Sequence, residues 1–383
     1  MNQQEVHTAN QIFQENSSEN QDSTLRIIVG ACSELCSVFC WPPFPNTILA
    51  KIILRPPPQT YDFYRESEEV ANEDSPDNYD NNNSETETTE IMTLQPASST
   101  TCLVGCRKSS KNPEKSRKNL LPCKFYKMRI DLDEIIDPFP RNFNTAAQID
   151  GFYVDSEVDS AKIPCVFIRC KEGEKQRFVL LYAHGNGVDI GEMTGTLAIY
   201  SQEFQMDVIC YDYRGYGLAD GWANEKYLHS DALSVFNFIK SSQSTFNYKN
   251  ENIILYGQSI GSVPTSKLAS LTEAHGVLGV VLHSPLASAA HFLKLGAKSH
   301  KALVTCFNPY ANIDCCADIN ALTLVIHGNE DEVVGFEQGK ALYKKLRNPF
   351  KPMWIDGGEH NDLEDFPQFL PHLRMFFHKV KSL

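Results

Sequence analysis

The stretch that decides the fold is IILYGQSIGSVPTSKLASL, residues 253–271. Its first four residues are apolar and favour a buried strand, whereas residues 263–271 favour a helix. The joining residues 257–261 read GQSIG. A strand, Gly-x-Ser-x-Gly and a helix in this order are typical of the sharp turn that exposes a nucleophilic serine at the top of a sheet. The glycines are needed because the turn leaves no room for a Cβ beside the serine, so the stretch predicts Ser259 as a nucleophile.

Segments that favour strands alternate with segments that favour helices from about residue 130 to the C terminus. The predicted strands are 164–169, 178–183, 208–213, 253–256, 278–282, 322–326 and 352–355. The predicted helices lie near 194–204, 227–239, 263–271, 336–346 and 367–380. Continuously apolar strands that alternate with helices indicate an α/β fold, a mostly parallel sheet covered by helices on both faces.

A serine nucleophile needs a base to accept its proton, and the base needs an acid that orients it. In the fold predicted by this turn, the acid and then a histidine follow the serine along the chain. Strand 322–326 leads into Asp331, and the next strand leads into a Gly-Gly loop with His360. The order predicts Asp331 as the orienting acid and His360 as the base. Neighbouring carboxylates are alternatives for the acid: Glu330, Glu332, Glu359 and Asp362. Two other histidines are expected to serve loop structure: His283 and His327.

The negative charge that develops on the substrate oxygen needs hydrogen-bond donors. The main-chain N–H of Ile260, one residue past the nucleophile, is the expected first donor. The second should come from the loop HGNGVD, residues 184–189, after strand 178–183. Asn186 is the predicted donor, with Gly185 or Gly187 as alternatives. No metal and no nucleotide cofactor are predicted, because the glycine-rich loops lack both G-x-G-x-x-G and the P-loop lysine.

The charges are divided unevenly along the chain. The 383 residues carry 48 Asp+Glu against 35 Lys+Arg, a net charge of −13 that disfavours a nucleic-acid-binding protein. Residues 62–90 hold eleven acids and one base, and residues 107–129 hold nine bases and one acid. Both runs are poor in aliphatic residues and cannot bury enough surface to order themselves, which predicts a disordered linker. The simple interpretation is a solvated charge run; contact of the basic run with anionic lipid is the alternative.

The N-terminal region has a distinctive cysteine pattern. No signal peptide or membrane-spanning apolar stretch is visible, so the cysteines are expected to be reduced thiols. Cys32, Cys36 and Cys40 recur every four residues, ahead of an amphipathic segment around 48–53 that is typical of an interfacial helix. The three thiols are candidates for S-acylation; a packed helix with small core cysteines is the alternative. We expect a disordered tail (1–29), an anchor segment (30–60), a linker (61–125) and a catalytic domain (126–383).

Six long motifs carry a family resemblance. They are YAHGNGVDIGEM (182–193), YDYRGYGLADG (211–221), ILYGQSIGSVPTSKLAS (254–270), VVLHSPLAS (280–288), IHGNEDEVV (326–334) and GGEHNDLE (357–364). Together with SELCSVFCWPPFP (33–45) and ILRPPPQTY (53–61), they resemble the alpha/beta hydrolase domain-containing protein 17 family. The resemblance implies an alpha/beta-hydrolase fold after a largely disordered N-terminal extension. It also implies that Ser259, Asp331 and His360 are nucleophile, acid and base of a membrane-anchored serine hydrolase that depalmitoylates proteins.

The chain also departs from the family pattern. Ser37, Trp41 and Phe44 stand where the family has further cysteines, which leaves Cys36 and Cys40 as matched positions and Cys32 as an additional candidate. Arg214 stands where a small residue is usual, and we expect it to alter the rim of the pocket.

The expected activity is hydrolysis of palmitoyl-protein thioesters through an acyl-enzyme intermediate. The resemblance implies substrates that are S-palmitoylated membrane proteins, attachment through the acylated cysteines, and a location on the cytosolic face of plasma and endosomal membranes. We expect a monomer without nucleic-acid partners. A lipid or small-ester hydrolase with the same three residues is the alternative, and a non-catalytic membrane scaffold is the further one.

Overall fold

The computed structural model describes residues 50–51, 53–65, 124–130, 148–170, 177–242, 244–289 and 309–383. The predicted tail, most of the anchor segment with Cys32, Cys36 and Cys40, and most of the charged linker lie outside the described residues. In the described ranges, no helix combines the length and the apolar character that crossing a bilayer requires.

The centre of the molecule is an eight-stranded sheet. Its strands, in chain order, are β3 (Gln148–Asp155), β4 (Lys162–Arg169), β5 (Val179–Ala183), β6 (Asp207–Tyr211), β7 (Ile253–Gln258), β8 (Gly279–His283), β9 (Thr323–Gly328) and β10 (Met353–Ile355). The spatial order is β10-β9-β8-β7-β5-β6-β4-β3. Strands β5 to β10 pair in parallel, and β4 runs antiparallel to both β3 and β6. This mostly parallel sheet confirms the predicted alpha/beta-hydrolase fold.

Helices cover the sheet on both faces, as predicted. They are α1 (Ile190–Phe204), α2 (Glu225–Lys240), α3 (Ser262–Ala269), α4 (Asn312–Cys315), α5 (Glu337–Lys345) and α6 (Phe369–Lys381). Apolar side chains of α2, α3 and α5 pack in one buried cluster, and those of α1 and α6 pack in a second. Strand β5 divides its side chains between them: Val179 and Leu181 face the first cluster, and Leu180 and Tyr182 face the second. All five residues of β5 are therefore buried, which explains its continuous apolar sequence.

Strand β3 was not predicted from the sequence. It pairs along its whole length with β4, from Gln148 opposite Arg169 to Asp155 opposite Lys162. Its sequence, QIDGFYVD, mixes polar and apolar residues, and both of its ends are exposed. An antiparallel edge strand needs only part of its surface to be apolar, so it lacks the signal that marked the buried strands.

The predicted linker, 61–125, begins with an ordered strand. Strand β1 (Tyr61–Tyr64) pairs antiparallel with β2 (Lys127–Ile130), and Tyr126 bridges to Gly151 of β3. Tyr61 is buried, and the ring of Phe63 packs against Gly151 and Tyr153. The acidic run begins at Asp62, but these aromatic rings bury enough surface to hold the short strand against the domain.

The predicted interfacial helix is also corrected where it is described. Ala50 and Lys51 are helical, as is Ile53, and the side chains of Ala50, Ile53 and Leu54 join the same buried cluster as α2 and α3. Ile53 and Leu54 are 7% and 6% exposed. These apolar residues face the protein core and not a lipid surface, which agrees with the packed-helix alternative for this part of the segment.

Candidate active site

Ser259 lies at the sharp turn between β7 and α3, as its motif predicts. Its φ is +50°, a left-handed conformation that a non-glycine residue seldom adopts. A Cβ on Gly257 would stand 2.5 Å from the carbonyl oxygen of Gly261, and a Cβ on Gly261 would collide with the carbonyl group of Ala183. The two glycines let the chain turn tightly against β5 and hold the strained serine in place.

The structure brings Ser259, His360 and Asp331 into one line of hydrogen bonds. Nε2 of His360 lies 2.9 Å from Oγ of Ser259, and Nδ1 of His360 lies 2.8 Å from Oδ2 of Asp331. The three residues come from the ends of β7, β9 and β10, which are neighbours through β8 in the sheet. These distances suit transfer of the hydroxyl proton to an imidazole that a carboxylate orients.

Asp331 is held by several N–H donors at once. Its Oδ1 accepts hydrogen bonds from the main-chain N–H groups of Val333 and Val334, at 3.0 and 2.7 Å. Burial acts to raise the pKa of Asp331, but hydrogen bonds from His327 and His360 outweigh it and hold that pKa well below its ordinary value. The carboxylate therefore stays ionised at neutral pH. The competing acids Glu330, Glu332 and Glu359 are exposed. Asp362 accepts a hydrogen bond from the N–H of Glu359.

His327 has a more specific place than loop structure. Its Nε2 lies 2.7 Å from the carbonyl oxygen of Val334 and 3.1 Å from Oδ2 of Asp331. Asp331 thus has one histidine on each side, and His327 braces the loop that carries it. The sequence signal was its position at the end of β9, four residues before the acid. His283, at the end of β8, receives or donates a 2.9 Å hydrogen bond with Tyr256.

The loop 184–187 borders Ser259. A Cβ on Gly185 would lie 3.9 Å from Cβ of Ser259, and Ile260 is buried beside it. The side-chain amide of Asn186 is hydrogen-bonded within the protein, to the main chain of Ile53 and Arg55 and to the hydroxyl of Tyr216. Which main-chain N–H of this loop acts as the second donor stays a prediction.

A second buried histidine and aspartate lie behind this loop. Nε2 of His184 is 3.3 Å from Oδ1 of Asp212, and Nδ1 of His184 is 2.8 Å from the carbonyl oxygen of Gly185. Oδ2 of Asp212 accepts a 2.7 Å hydrogen bond from the hydroxyl of Tyr61. Burial raises the pKa of Asp212, against the opposing effect of His184. Sequence reasoning missed this pair, whose signal was the end of two neighbouring strands, β5 and β6.

A cavity of about 840 Å³ opens at Ser259 and His360. Its walls combine polar and apolar side chains, and the apolar ones come from the N-terminal segment, α1, α6 and the loops after β8 and β9: Ile53, Met193, Ile199, Leu286, Val334 and Leu370. Carboxylates also reach it, among them Glu364, and burial raises the pKa of Glu364 to about 7. The cavity can accept a long apolar group whose reacting carbon lies at the serine.

Arg214 does not lie on the rim of this cavity, contrary to the sequence prediction. Its guanidinium is buried, hydrogen-bonds Asp231 and Asp159, and stands over the ring of Tyr227 at 3.6 Å. It therefore ties the turn between β3 and β4 to α2. Among the described residues, no group of three or more histidine, cysteine or acidic side chains is arranged to hold a metal ion.

Comparison with known proteins places the chain in a family. The family described as "Serine aminopeptidase, S33" matches residues 174–314. Alpha/beta hydrolase domain-containing protein 17C of Xenopus tropicalis is 30% identical over 354 residues, which cover 90% of this chain and 93% of the relative. Protein 17B of Homo sapiens is 36% identical over 215 residues, covering 56% of this chain and 70% of the relative.

The similarity to solved structures is partial and comes at low sequence identity. The esterase Pf2001 of Pyrococcus furiosus is 17% identical, covers 62% of this chain and 90% of its own, and superposes with a TM-score of 0.48. The sheet order, the placement of Ser259 and the relatives at 30–36% identity lead to one conclusion. The chain is a hydrolase of the alpha/beta serine hydrolase superfamily and belongs to the alpha/beta hydrolase domain-containing protein 17 family.

Proposed function

We propose that this hydrolase removes palmitate from S-acylated cysteines of membrane proteins. The observation that carries the proposal is the line of hydrogen bonds from Asp331 through His360 to Ser259, which ends at a large cavity with several apolar side chains in its wall. A hydrophobic wall favours a long acyl chain over a small polar acid, because burying each CH₂ contributes about 0.8 kcal/mol. Ser259, Asp331 and His360 are proposed as nucleophile, orienting acid and base.

The first step transfers the acyl group to the enzyme. Nε2 of His360 accepts the Ser259 proton while Oγ forms a bond to the thioester carbon, whose oxygen becomes negatively charged. When the carbonyl re-forms, the carbon–sulfur bond breaks, and the imidazolium returns its proton to the leaving thiolate. The products of this step are the acyl-serine ester and a free cysteine thiol.

The second step releases the fatty acid. Water gives a proton to Nε2 of His360 as its oxygen attacks the acyl-serine carbon, and the same proton then passes to Oγ of Ser259. Asp331 stays ionised throughout, because its hydrogen bonds hold its pKa low, and it stabilises the imidazolium that forms in each step.

Main-chain donors are proposed to hold the oxyanion. Ile260 follows the nucleophile and starts the turn into α3, so its N–H is the first donor. The N–H of Asn186, in the loop beside Ser259, is proposed as the second. Such donors act mainly on the transition state, since the oxygen gains its charge only there.

Membrane attachment completes the proposal. Cys32, Cys36 and Cys40 are proposed to carry acyl chains that hold the enzyme, as a monomer, on the cytosolic face of plasma and endosomal membranes. Two or more chains would anchor stably where one would not. Anchoring confines enzyme and palmitoylated substrate to one surface and raises their effective concentration.

Labelling with a fluorophosphonate tests the nucleophile. Ser259→Ala is expected to fold normally and to lose both labelling and turnover of a palmitoylated peptide. Ser270→Ala is the matched control, because its hydroxyl donates to the carbonyl of Lys267 at the end of α3 and does not line the cavity, and it should keep both. Retained labelling of Ser259→Ala would overturn the assignment.

The substrate class has its own test. The same three residues can cleave oxygen esters, so a monoacylglycerol-type hydrolase is the alternative activity. The purified enzyme should show a higher kcat/KM for a palmitoylated peptide than for monopalmitoylglycerol; the reverse order would favour the alternative. Membrane fractionation of the triple Cys→Ser variant tests the anchor, which is contradicted if the variant stays fully membrane-bound.

A further inference from the structure

The N-terminal segment 53–61 docks on the loop beside the nucleophile. Both atoms of the Asn186 side-chain amide bind its main chain: Oδ1 accepts the N–H of Arg55 at 2.9 Å, and Nδ2 donates to the carbonyl of Ile53 at 2.8 Å. The hydroxyl of Tyr216 donates a further bond to Oδ1 at 2.6 Å. A residue at the centre of the predicted oxyanion loop is therefore clamped to a segment more than 130 positions away.

A second contact ties the other end of the same loop. Asp189, the N-cap residue of α1, accepts the main-chain N–H of Thr60 at 2.8 Å and also the Thr60 hydroxyl. Both residues are buried, so water cannot replace these bonds. Gly191 makes the close approach possible, because a Cβ at this position would collide with the Thr60 hydroxyl.

A third contact runs beneath the loop. The hydroxyl of Tyr61 donates to Asp212, and the other oxygen of Asp212 accepts the N–H of Ile190 and lies 3.3 Å from His184. The segment is thus connected to the start, the middle and the end of residues 184–190. Its Ile53 side chain also forms part of the cavity wall that contains Ser259.

The backbone of the loop has little intrinsic rigidity around Asn186. Gly185 and Gly187 flank Asn186, and Gly187 has a φ of +81°. Because glycine has no side chain, nothing at these two positions restricts the backbone locally. Preorganised donors stabilise a transition state only if their positions are set before the reaction. Contacts from outside the loop must supply this restriction; Asp212, Tyr213 and Tyr216 supply some of them, and segment 53–61 supplies the others.

We propose that segment 53–61 is a positioning element of the active site, which acts through Asn186 and Asp189 to hold loop 184–189 where its N–H groups can meet the oxyanion. The inference rests on the proposed role of this loop. It makes the segment that follows the anchor cysteines part of the catalytic machinery, so that the active site is incomplete without it.

The test compares full-length variants on a short, water-soluble p-nitrophenyl ester. Asn186→Ala removes all three side-chain bonds but keeps the main-chain N–H; we expect kcat to fall about 10- to 100-fold, up to the scale of losing one oxyanion donor. Thr60→Val lies outside the cavity and removes only the hydroxyl; we expect a fall of about 3- to 10-fold. KM should change less than about twofold in both, because the charge forms only in the transition state.

Two controls isolate the positioning effect. Lys51→Ala removes an exposed side chain that lies just before the segment, so kcat should stay within about twofold of the original. Thr60→Ser restores the hydroxyl and should restore kcat. Hydrogen exchange across residues 184–190 should be faster in Thr60→Val than in Thr60→Ser, a change that a wall contact alone would not cause.

Opposite outcomes are easily told apart. Unchanged kcat in both Asn186→Ala and Thr60→Val, or a raised KM with unchanged kcat, would overturn the positioning role. The short ester and fluorophosphonate labelling need no palmitoyl group, so a failure of the thioesterase proposal leaves this comparison valid. An unlabelled Ser259 in the unaltered protein would instead show that the proposed function itself has failed.

Discussion

Two buried histidine–aspartate pairs of the described residues invite comparison: one leads to Ser259, and the other lies behind the loop that borders Ser259. His360 and Asp331 are joined through Nδ1 at 2.8 Å, and His184 and Asp212 approach through Nε2 at 3.3 Å. The decisive difference is the second ring nitrogen. In His360 it reaches the hydroxyl of Ser259 at the cavity, whereas in His184 it reaches the carbonyl oxygen of Gly185 inside the protein. The same two residue types are thus suited to proton transfer in one place and to holding a loop in the other.

The carboxyl groups of Asp331 and Asp212 also differ, in the direction in which their surroundings shift the pKa. Hydrogen bonds from His327, His360 and a main-chain N–H overcome burial and lower the pKa of Asp331. Burial dominates at Asp212 and raises its pKa. A carboxylate that must remain ionised during catalysis therefore has more donors than one that only supports structure. Substitutions in the two pairs should separate activity from stability.

The largest expected effect is that of Asp331→Asn on activity. The amide cannot stabilise the imidazolium or select the required tautomer of His360, so kcat/KM should fall about 10³- to 10⁴-fold. Ester hydrolysis and the thermal unfolding midpoint should be measured together. Glu332→Gln, the exposed neighbour, is the control and should change neither. If kcat/KM of Asp331→Asn fell by less than tenfold, the proposed difference in function between the two histidine–aspartate pairs would be contradicted.

In contrast to Asp331→Asn, the substitution Asp212→Asn should lower the stability of the fold more than the activity. One carboxylate oxygen is replaced by an NH₂ group, which cannot accept the hydrogen bonds that the surrounding groups donate. This mismatch should destabilise the fold by about 1–3 kcal/mol. Activity at a temperature where the variant is folded should fall about tenfold at most, through the loop that Asp212 supports. Denaturant unfolding gives the first quantity and kcat the second. If Asp212→Asn lost as much activity as Asp331→Asn and kept its stability, the proposed division of roles between the two pairs would be contradicted.

A third carboxyl group extends the comparison to pH. Glu364 has a pKa of about 7, above its ordinary value of 4.5, because burial disfavours its charge. Between these two values the folded state keeps a proton that the unfolded state has lost, so this contribution to stability is present below about pH 4.5 and is lost as pH rises through 7. We expect the free energy of unfolding to fall by about 1–2 kcal/mol over this range, less than the full pKa difference implies because the group is partly exposed.

Unfolding of Glu364→Gln across pH 5–8 checks this sign. The unaltered protein should lose stability relative to the variant as pH rises. Asp331 has the opposite shift, contributes stability above its unfolded pKa and loses it only on acidification, so it adds no slope in this range. Parallel stability curves for the two proteins would show that Glu364 titrates normally.

The smallest effect on activity is expected for Arg214→Lys. A lysine cannot hold Asp159 and Asp231 with the guanidinium's several donors, so stability should fall by about 1–2 kcal/mol while kcat/KM stays within about twofold. Arg374→Lys is the control, because its pair with Glu203 is exposed and should cost less than about 0.5 kcal/mol. A larger change in kcat/KM for Arg214→Lys would instead support the prediction from the sequence that this residue affects the rim of the pocket.

The buried strands and the helices were predictable, but their edges were not. Predicted strand 253–256 continues to Gln258, and the helix predicted from 194 begins at Ile190, because Asp189 caps it by accepting the N–H of Glu192. Such caps and the antiparallel edge strand β3 depend on individual side-chain contacts and partial burial, which leave a weak periodic signal.

The sequence by itself determined the architecture and the three residues of the candidate site. Parallel strands bring their carboxyl ends to one edge of a sheet, so Ser259, Asp331 and His360 meet once the order of strands and loops is known. The tertiary structure decided against the neighbouring acids that the sequence left open as alternatives, because the carboxylate that faces His360 is that of Asp331. It also decided that segment 53–61, expected partly as an interfacial helix, packs on the core and clamps Asn186. These contacts join residues more than 100 positions apart, and their geometry is set by packing rather than by any local pattern.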